Sequence, residues 1–275
     1  MAVFCWNQYQ LEYEEWGSGN QCYFFFHGFG RNTGDAHIFL PLLQPHHRLV
    51  SVHLFFHGKS SLPLDQLVTD PPTQDSWKTL FKAFLAHLGV TQFHLLGYSM
   101  GGRIAMVTAL QFPDDVLSML LMAPDGLKIN RVYQFASGTT LGRKMYKSII
   151  ENPRRLFRLA AMLNQVGVLN DKLHRFVHVH LDTVEKRQLV HDAWLAHRYL
   201  FPDLDQLARW IDEQKRPVYF LFGEYDSIIR VRLGVRFSKK VKRPADQWLY
   251  TVPLGHRLLE ERTVELVKEK KLSFH

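Results

Sequence analysis

The Gly-Tyr-Ser-Met-Gly turn at residues 97–101 constrains the fold more than any other part of the chain. It joins residues 93–96, an apolar run typical of a buried strand, to residues 104–110, which are apolar at helical spacing. A serine at the tip of so sharp a turn takes a strained backbone conformation, and the flanking glycines remove side chains that would collide there. The helix behind the turn would point free N–H groups at an oxyanion formed above Ser99. The turn therefore predicts a reactive serine, although a Gly-rich turn without a chemical role fits the same short pattern.

Two later loops carry the groups that would activate this serine. A hydroxyl needs a neighbouring base, and the base needs an acid that holds its tautomer. The strand-like residues 217–222 lead to Asp226, and a second strand-like segment leads to His256. The order Ser99, Asp226, His256 is the order expected for this strand–turn–helix context, and we predict that these residues form a catalytic triad. Glu224 and Asp125 are the alternative acids.

An early loop supplies the second half of the expected chemistry. The segment His-Gly-Phe-Gly at residues 27–30 follows a dense aromatic run that is typical of a buried strand. We predict that the backbone N–H groups of Phe29 and Met100 form an oxyanion hole. We interpret His27 and His57 as hydrogen-bonded anchors of their loops rather than as catalysts.

Strand-like and helical segments alternate along most of the chain, which predicts an α/β fold with a mostly parallel, twisted sheet covered by helices on both faces. One of these helices is expected at residues 33–43, with Thr33 as its N-cap. No clear strand occurs between about 127 and 214. We therefore predict that residues 1–126 and 215–275 form the core, and that residues 127–214 form an inserted helical cap.

Composition limits the class of protein. A chain of 275 residues with 46% hydrophobic and 13% aromatic residues is long and apolar enough to bury one large core. Its two cysteines, Cys5 and Cys22, suit a reducing compartment. The first ten residues lack the pattern of a signal peptide, and no apolar run approaches the ~20 residues that span a bilayer. We expect a soluble cytoplasmic protein.

The positive charge is concentrated in the predicted cap. The formal net charge is +8, and residues 131–175 alone contain nine Lys or Arg and only two acids. This basic segment suggests contact with something acidic, although a solvated helix surface explains it equally well. His174, His178 and His180 lie in the predicted cap, but their surroundings lack the further ligands that a metal motif requires, so we expect no metal.

Taken together, these segments resemble the α/β-hydrolase superfamily over essentially the whole chain. The matching motifs are residues 27–30, His-Gly-Lys-Ser at 57–60, the turn at 97–102, residues 223–226 and Gly-His at 255–256. The resemblance implies a lidded hydrolase core that needs no cofactor. Two positions depart from the family pattern: Ser227, where proline is common after the acid, and His53, where many relatives have aspartate before the His-Gly motif.

The resemblance leaves three functions open. The first is a serine hydrolase that cleaves a carboxylic ester or related acyl compound through an acyl-enzyme. The second is a lyase that eliminates pyruvate from an anionic substrate, because Tyr98 and Arg103 are similar to residues in the turn of the SHCHC synthases of the menaquinone pathway. We expect Tyr98 and Arg103 to bind the substrate. The third is a ligand-binding receptor with a vestigial triad. We expect a small acyl substrate, with an acidic group if the basic segment contacts it, and neither nucleic acid binding nor stable membrane association.

Overall fold

The computed structural model describes residues 1–43, 46–154 and 181–272. Its strands are β1 (Ala2–Trp6), β2 (Tyr9–Trp16), β3 (Gln21–Phe26), β4 (His47–Val52), β5 (Phe93–Tyr98), β6 (Val116–Met122), β7 (Val218–Gly223) and β8 (Leu249–Val252). They form an eight-stranded sheet in the order β1-β2-β4-β3-β5-β6-β7-β8. The β1–β2 and β2–β4 pairs are antiparallel, and every other pair is parallel. The predicted α/β fold with a mostly parallel sheet is confirmed.

The central strands are buried along their whole length. All six residues of β5 are buried, as are the last five of β3. Such continuous apolar runs are characteristic of parallel strands that are covered on both faces. Tyr23, Phe25 and Leu96 pack on one side of the sheet, against a core that also includes Phe39 and Val267. The strands that carry the site loops are therefore fixed by a buried apolar cluster of the described chain.

The α-helices among the described residues lie between and after these strands. They are α1 (Gln66–Thr69), α2 (Gln74–Leu88), α3 (Met100–Gln111), α4 (Arg131–Gly138), α5 (Thr140–Glu151), α6 (Val184–Ala196), α7 (Leu204–Glu213), α8 (Val231–Ser238) and α9 (Glu261–Glu269). Side-chain caps explain several of the starts. The Thr73 hydroxyl accepts from the N–H of Ser76 at the start of α2, and Asp203 accepts two N–H groups at the start of α7. No helix in the described part of the chain is both long and apolar enough to cross a membrane.

The predicted helix at residues 33–43 differs in detail. It is a 3₁₀ helix, Thr33–Leu42, and its N-cap is Asn32 rather than Thr33. Asn32 takes this position because its side-chain oxygen accepts from the N–H of Gly34 at 3.0 Å. Pro41 lies inside the helix and has no N–H to donate, which disfavours regular α-helical hydrogen bonding. The strand β1 was not among the sequence predictions, because its short and largely exposed pattern carries little periodic signal.

The described chain packs as two compact units. The first comprises Met1–Pro63, Thr73–Lys128 and Leu200–His275, and the second comprises Leu64–Pro72 with the described residues of Ile129–Tyr199. Within the second unit, the buried Arg198 donates to the backbone oxygens of Leu67 and Val68, which ties the short early segment to the residues that follow α6. The assignment of residues 127–214 as a cap stays a prediction. The basic residues at positions 155–175 lie outside the described residues, as do His174, His178 and His180.

Candidate active site

Ser99 lies at the junction of β5 and α3 with a strained backbone. Its φ is +52° and its ψ is −116°, a backbone conformation that residues other than glycine rarely adopt. The close approach of α3 explains the glycines around it. A Cβ added to Gly101 would lie 1.9 Å from the carbonyl oxygen of Phe26, and one added to Gly97 would lie 2.7 Å from the Cα of Gly102. Because Gly97 and Gly101 carry no side chains, α3 can pack this close to the ends of β3 and β5. Ser99 therefore occupies a sharp turn between β5 and α3.

The structure brings together the three predicted side chains of the triad. The Nε2 atom of His256 lies 3.1 Å from the Oγ of Ser99, and its Nδ1 atom lies 2.8 Å from Oδ2 of Asp226. These distances are within hydrogen-bonding range, although 157 residues separate the serine from the histidine. They join a hydroxyl, an imidazole and a carboxylate in the sequence that a base-activated nucleophile requires.

Asp226 is held rigidly by its own loop. Its side chain is completely buried, and its second oxygen, Oδ1, accepts from the backbone N–H groups of Ile228 and Ile229 at 2.7 and 2.9 Å. Both oxygens of the carboxylate are therefore engaged, one of them by His256. Because the loop supplies two N–H donors, the carboxylate needs no positive side chain to compensate for its burial.

The two alternative acids face other partners. Glu224 is exposed and accepts from the hydroxyl of Thr251 at 3.2 Å. Asp125 accepts from the N–H of Gly126 at 2.7 Å and lies 3.6 Å from the guanidinium of Arg103. Neither contact involves His256, so Asp226 is the carboxylate that the structure places beside the imidazole.

Tyr98 contacts the backbone of His256. Its hydroxyl donates to the backbone carbonyl of His256 at 2.9 Å, and the two rings are 5.5 Å apart. Burial is the main reason that the pKa of Tyr98 is raised to about 12, so its hydroxyl remains a donor at neutral pH. The structure thus places Tyr98 against the backbone of the loop that carries His256, while its predicted contact with substrate stays a prediction.

Arg103 lies on the buried side of α3. Only 2% of its surface is exposed, and its guanidinium carbon sits 4.3 Å from the centre of the Phe201 ring. Together with the nearby Asp125 carboxylate, this ring accounts for the position of the cation. The predicted role of Arg103 in substrate binding stays a prediction.

The loop predicted to carry one oxyanion donor lies against the serine. A Cβ added to Gly28 would be 3.4 Å from the Cβ of Ser99 and 2.8 Å from the Tyr98 ring, so only glycine fits at this contact. Phe29 is the next residue. Met100 is the first residue of α3, where backbone N–H groups have no partner within the helix. The two predicted donors therefore come from backbone segments that meet beside Ser99.

Histidines anchor this loop, as the sequence predicted. His27 accepts from the N–H of Leu54 at 3.1 Å, and His57 accepts from the N–H of Gly30 at 2.9 Å. A third buried ring, His53, accepts from the N–H of Thr33 at 3.2 Å and pairs with Glu12. The pair of Glu12 and His53 was not predicted. The sequence shows only that Glu12 lies in the strand β2 and that His53 interrupts an apolar run directly after β4.

The described residues contain no group of three or more His, Cys, Asp or Glu side chains arranged to hold a metal ion. His174, His178 and His180 are outside the described residues.

A serine at a strand-to-helix turn, bonded to a histidine that is in turn bonded to an aspartate, is typical of one class of α/β enzymes. In that class the aspartate and the histidine come from loops after later strands of a mostly parallel sheet. A sequence model of the alpha/beta hydrolase fold family matches residues 24–263. The chain belongs to the α/β-hydrolase family, and it is an enzyme of that family.

Individual relatives are distant. The 2-hydroxy-6-oxononadienedioate/2-hydroxy-6-oxononatrienedioate hydrolase of Paraburkholderia phymatum is 26% identical over 82% of this chain and 78% of its own. Lipase 1 of Psychrobacter immobilis is 24% identical over 84% of this chain and 69% of its own. Among solved structures, a thermophilic esterase from Thermogutta terrifontis superposes with a TM-score of 0.64 at 17% identity, covering 96% of this chain and 93% of that one.

Proposed function

We propose that this enzyme is a serine hydrolase that cleaves a carboxylic ester or a related acyl compound through an acyl-enzyme. The observation that carries the proposal is the continuous hydrogen-bonded series from Ser99 through His256 to Asp226. Each group has the chemistry that the next one needs: the hydroxyl is a weak nucleophile, the imidazole is its base, and the carboxylate stabilises the imidazolium that forms.

The proposed steps use these groups in turn. The Oγ of Ser99 attacks the acyl carbon while Nε2 of His256 takes the hydroxyl proton, and the carbonyl oxygen becomes an oxyanion facing the N–H groups of Phe29 and Met100. The oxyanion collapses, the bond to the alcohol breaks, and His256 returns the proton to the departing oxygen. Water then attacks the acyl-serine by the same route, releasing the acid and restoring Ser99. Every proton in this cycle moves between substrate, water and groups of the chain.

Relatives support hydrolysis as the reaction type. One is a hydrolase of a 2-hydroxy-6-oxo dienedioate and another is a lipase, so family members with similar sequences act on different carbonyl compounds. The groups named above are sufficient to cleave an ester. A panel of substrates that differ in the length and charge of the acyl group measures its preference.

The position of Arg103 weighs against the alternative lyase function. A pyruvate-eliminating enzyme with an anionic substrate would use this cation to bind it, whereas the guanidinium packs on Phe201 and faces Asp125. The intact series of hydrogen bonds likewise weighs against a receptor with a vestigial triad.

The test is the rate of hydrolysis of p-nitrophenyl esters of two to twelve carbons, with the dienedioate of the relative as a further substrate. We expect Ser99→Ala to lower kcat on the preferred ester by at least about 10³-fold, because the nucleophile is lost. Ser18→Ala removes an exposed hydroxyl elsewhere and is expected to keep the wild-type rate. A Ser99→Ala protein with wild-type activity would refute the proposal, and pyruvate release without ester cleavage would favour the lyase.

A further inference from the structure

Glu12 and His53 form a buried hydrogen-bonded pair outside the triad. The two side chains are 5% and 6% exposed, and Nδ1 of His53 lies 2.8 Å from Oε2 of Glu12. The same carboxylate oxygen accepts from the backbone N–H of Lys59 at 2.8 Å. The pair is packed without slack: a Cβ added to Gly58 would lie 2.0 Å from Nδ1 of His53 and 2.1 Å from Oε2 of Glu12. A glycine is therefore required at position 58 to leave room for it.

The other nitrogen of His53 determines its protonation. Nε2 accepts from the backbone N–H of Thr33, a residue with no exposed surface, at 3.2 Å. Since a backbone N–H can only donate, Nε2 carries no proton, and the ring proton is on Nδ1, where Glu12 accepts it. His53 is thus a neutral ring whose tautomer is held by the carboxylate, in the way that an acid holds a catalytic base.

The contact matters because of where Thr33 lies. Residues 27–33 form the loop that carries Phe29, and this segment is here named the oxyanion loop. His57 holds the middle of the oxyanion loop through the N–H of Gly30, and His53 holds its end through the N–H of Thr33. His27, at its start, donates from Nδ1 to the carbonyl of Gly28 at 2.7 Å. Three neutral rings thus fix a loop whose backbone must aim one N–H at the reaction centre.

Several titratable groups surround the pair. Lys59 and the rings of His27 and His57 are its neighbours on the loops, and Glu14, two residues from Glu12 on β2, accepts from the hydroxyl of Thr33 at 3.0 Å. Burial alone would raise the pKa of Glu12, but the hydrogen bonds from the backbone N–H of Lys59 and from His53, together with nearby positive charge, bring it below its usual value. Glu12 therefore remains a carboxylate acceptor throughout the neutral range.

We propose that Glu12 and His53 are positioning residues for the reaction: the carboxylate keeps His53 in its Nδ1–H tautomer, and the free Nε2 atom holds the oxyanion loop in the geometry that stabilises the oxyanion. This inference depends on the proposed function, since it assigns the pair a part in acyl transfer.

The first test is independent of activity. Nitrogen chemical shifts of the histidine rings at pH 7.5 are expected to show an unprotonated Nε2 and a protonated Nδ1 for His53, and the opposite tautomer overturns the inference. Hydrogen exchange at the Thr33 amide is expected to be at least about tenfold faster in His53→Leu, which removes its acceptor. The matched control is His94→Leu, which removes a buried histidine bonded to Ser118 and Gln21 and is expected to leave Thr33 unchanged.

The second test measures kinetics on the preferred ester. We expect His53→Leu to lower kcat by about tenfold to a hundredfold with KM within about threefold, because a misplaced oxyanion donor affects the transition state more than substrate binding. His53→Gln, which places an amide oxygen near the position of Nε2, is expected to recover most of the loss. Equal losses in both variants, or a loss in His94→Leu of the same size, would indicate a purely structural role and overturn the inference.

The outcomes separate this inference from the proposed function. A His53→Leu enzyme with wild-type kcat and a normally protected Thr33 amide overturns the inference while ester cleavage by Ser99 stands. A folded wild-type protein that cleaves no ester overturns the proposed function and the catalytic part of the inference, and Thr33 exchange then still decides whether the pair holds the loop.

Discussion

At the scale of single residues, the site combines one solvent-accessible imidazole with a fully enclosed carboxylate. The His256 side chain is 21% exposed, whereas that of Asp226 has no exposed surface. An acid in this position acts through orientation: it holds the proton on Nδ1 of His256, so that Nε2 is free to take the proton of Ser99. The contribution of Asp226 to catalysis thus depends on its charge and its hydrogen-bond partners rather than on its size.

Replacing Asp226 with asparagine tests this role. The amide can still accept from the N–H groups of Ile228 and Ile229, so the loop should keep its shape, but the imidazole loses the acceptor that holds its tautomer. We expect kcat to fall by about 10³- to 10⁴-fold with little change in Tm. Glu224→Gln, an exposed change two residues away, is the control and should keep full activity. Steady-state kinetics and thermal unfolding of both variants make the comparison, and comparable rates for both would contradict the assignment.

At the scale of elements, the close approach of α3 to the end of β3 determines the shape of the turn. The sequence pattern of strand, glycines and helix was sufficient to predict this junction, because the constraint lies within a few neighbouring residues. The N-cap of α2 at Thr73 was equally accessible, since its capping partner Ser76 is only three residues away. Local signals were weaker at residues 33–42, where Asn32 competed with Thr33 for the cap.

An alanine at position 101 should be far more damaging than one at position 138. The Cβ of Gly101→Ala would lie 1.9 Å from a backbone oxygen, so α3 has to move away from β3, at a cost of about 3 kcal/mol or more in the free energy of unfolding. Gly138 ends α4, and a Cβ added there would meet nothing within 4 Å, so Gly138→Ala should be neutral or slightly stabilising. Denaturant unfolding curves decide, and equal stabilities would disprove the packing argument.

At the scale of the whole molecule, the residues of the proposed triad follow the carboxyl ends of parallel strands of the sheet. The alternation of strands and helices was enough to predict that Ser99, Asp226 and His256 follow such ends. The contact between Glu12 and His53 could not be predicted, because it joins Glu12 on β2 to a residue 41 positions later that directly follows β4, the antiparallel neighbour of β2. Only the order of strands in the sheet, which short patterns do not encode, brings β2 beside the end of β4.

Acid stability is a property of the whole molecule that follows from buried histidines. Chiefly because of burial, the pKa of His57 lies below its usual value of 6.5. The unfolded chain therefore binds a proton that the folded chain resists, so stability is complete above about pH 6.5 and decreases as the pH falls below it. One such histidine contributes a slope of at most about 1.4 kcal/mol per pH unit. Tm measured from pH 8 to pH 5 should fall, and less steeply in His57→Gln; an identical slope in that variant would contradict this account.

The central claim, that Ser99 is the activated nucleophile of the site, is tested most directly by mass spectrometry of the protein after treatment with a fluorophosphonate. The account predicts one covalent adduct, located on Ser99, which is absent in Ser99→Ala and forms much more slowly in His256→Ala. A folded protein that stays unmodified, or an adduct on another residue, would contradict it.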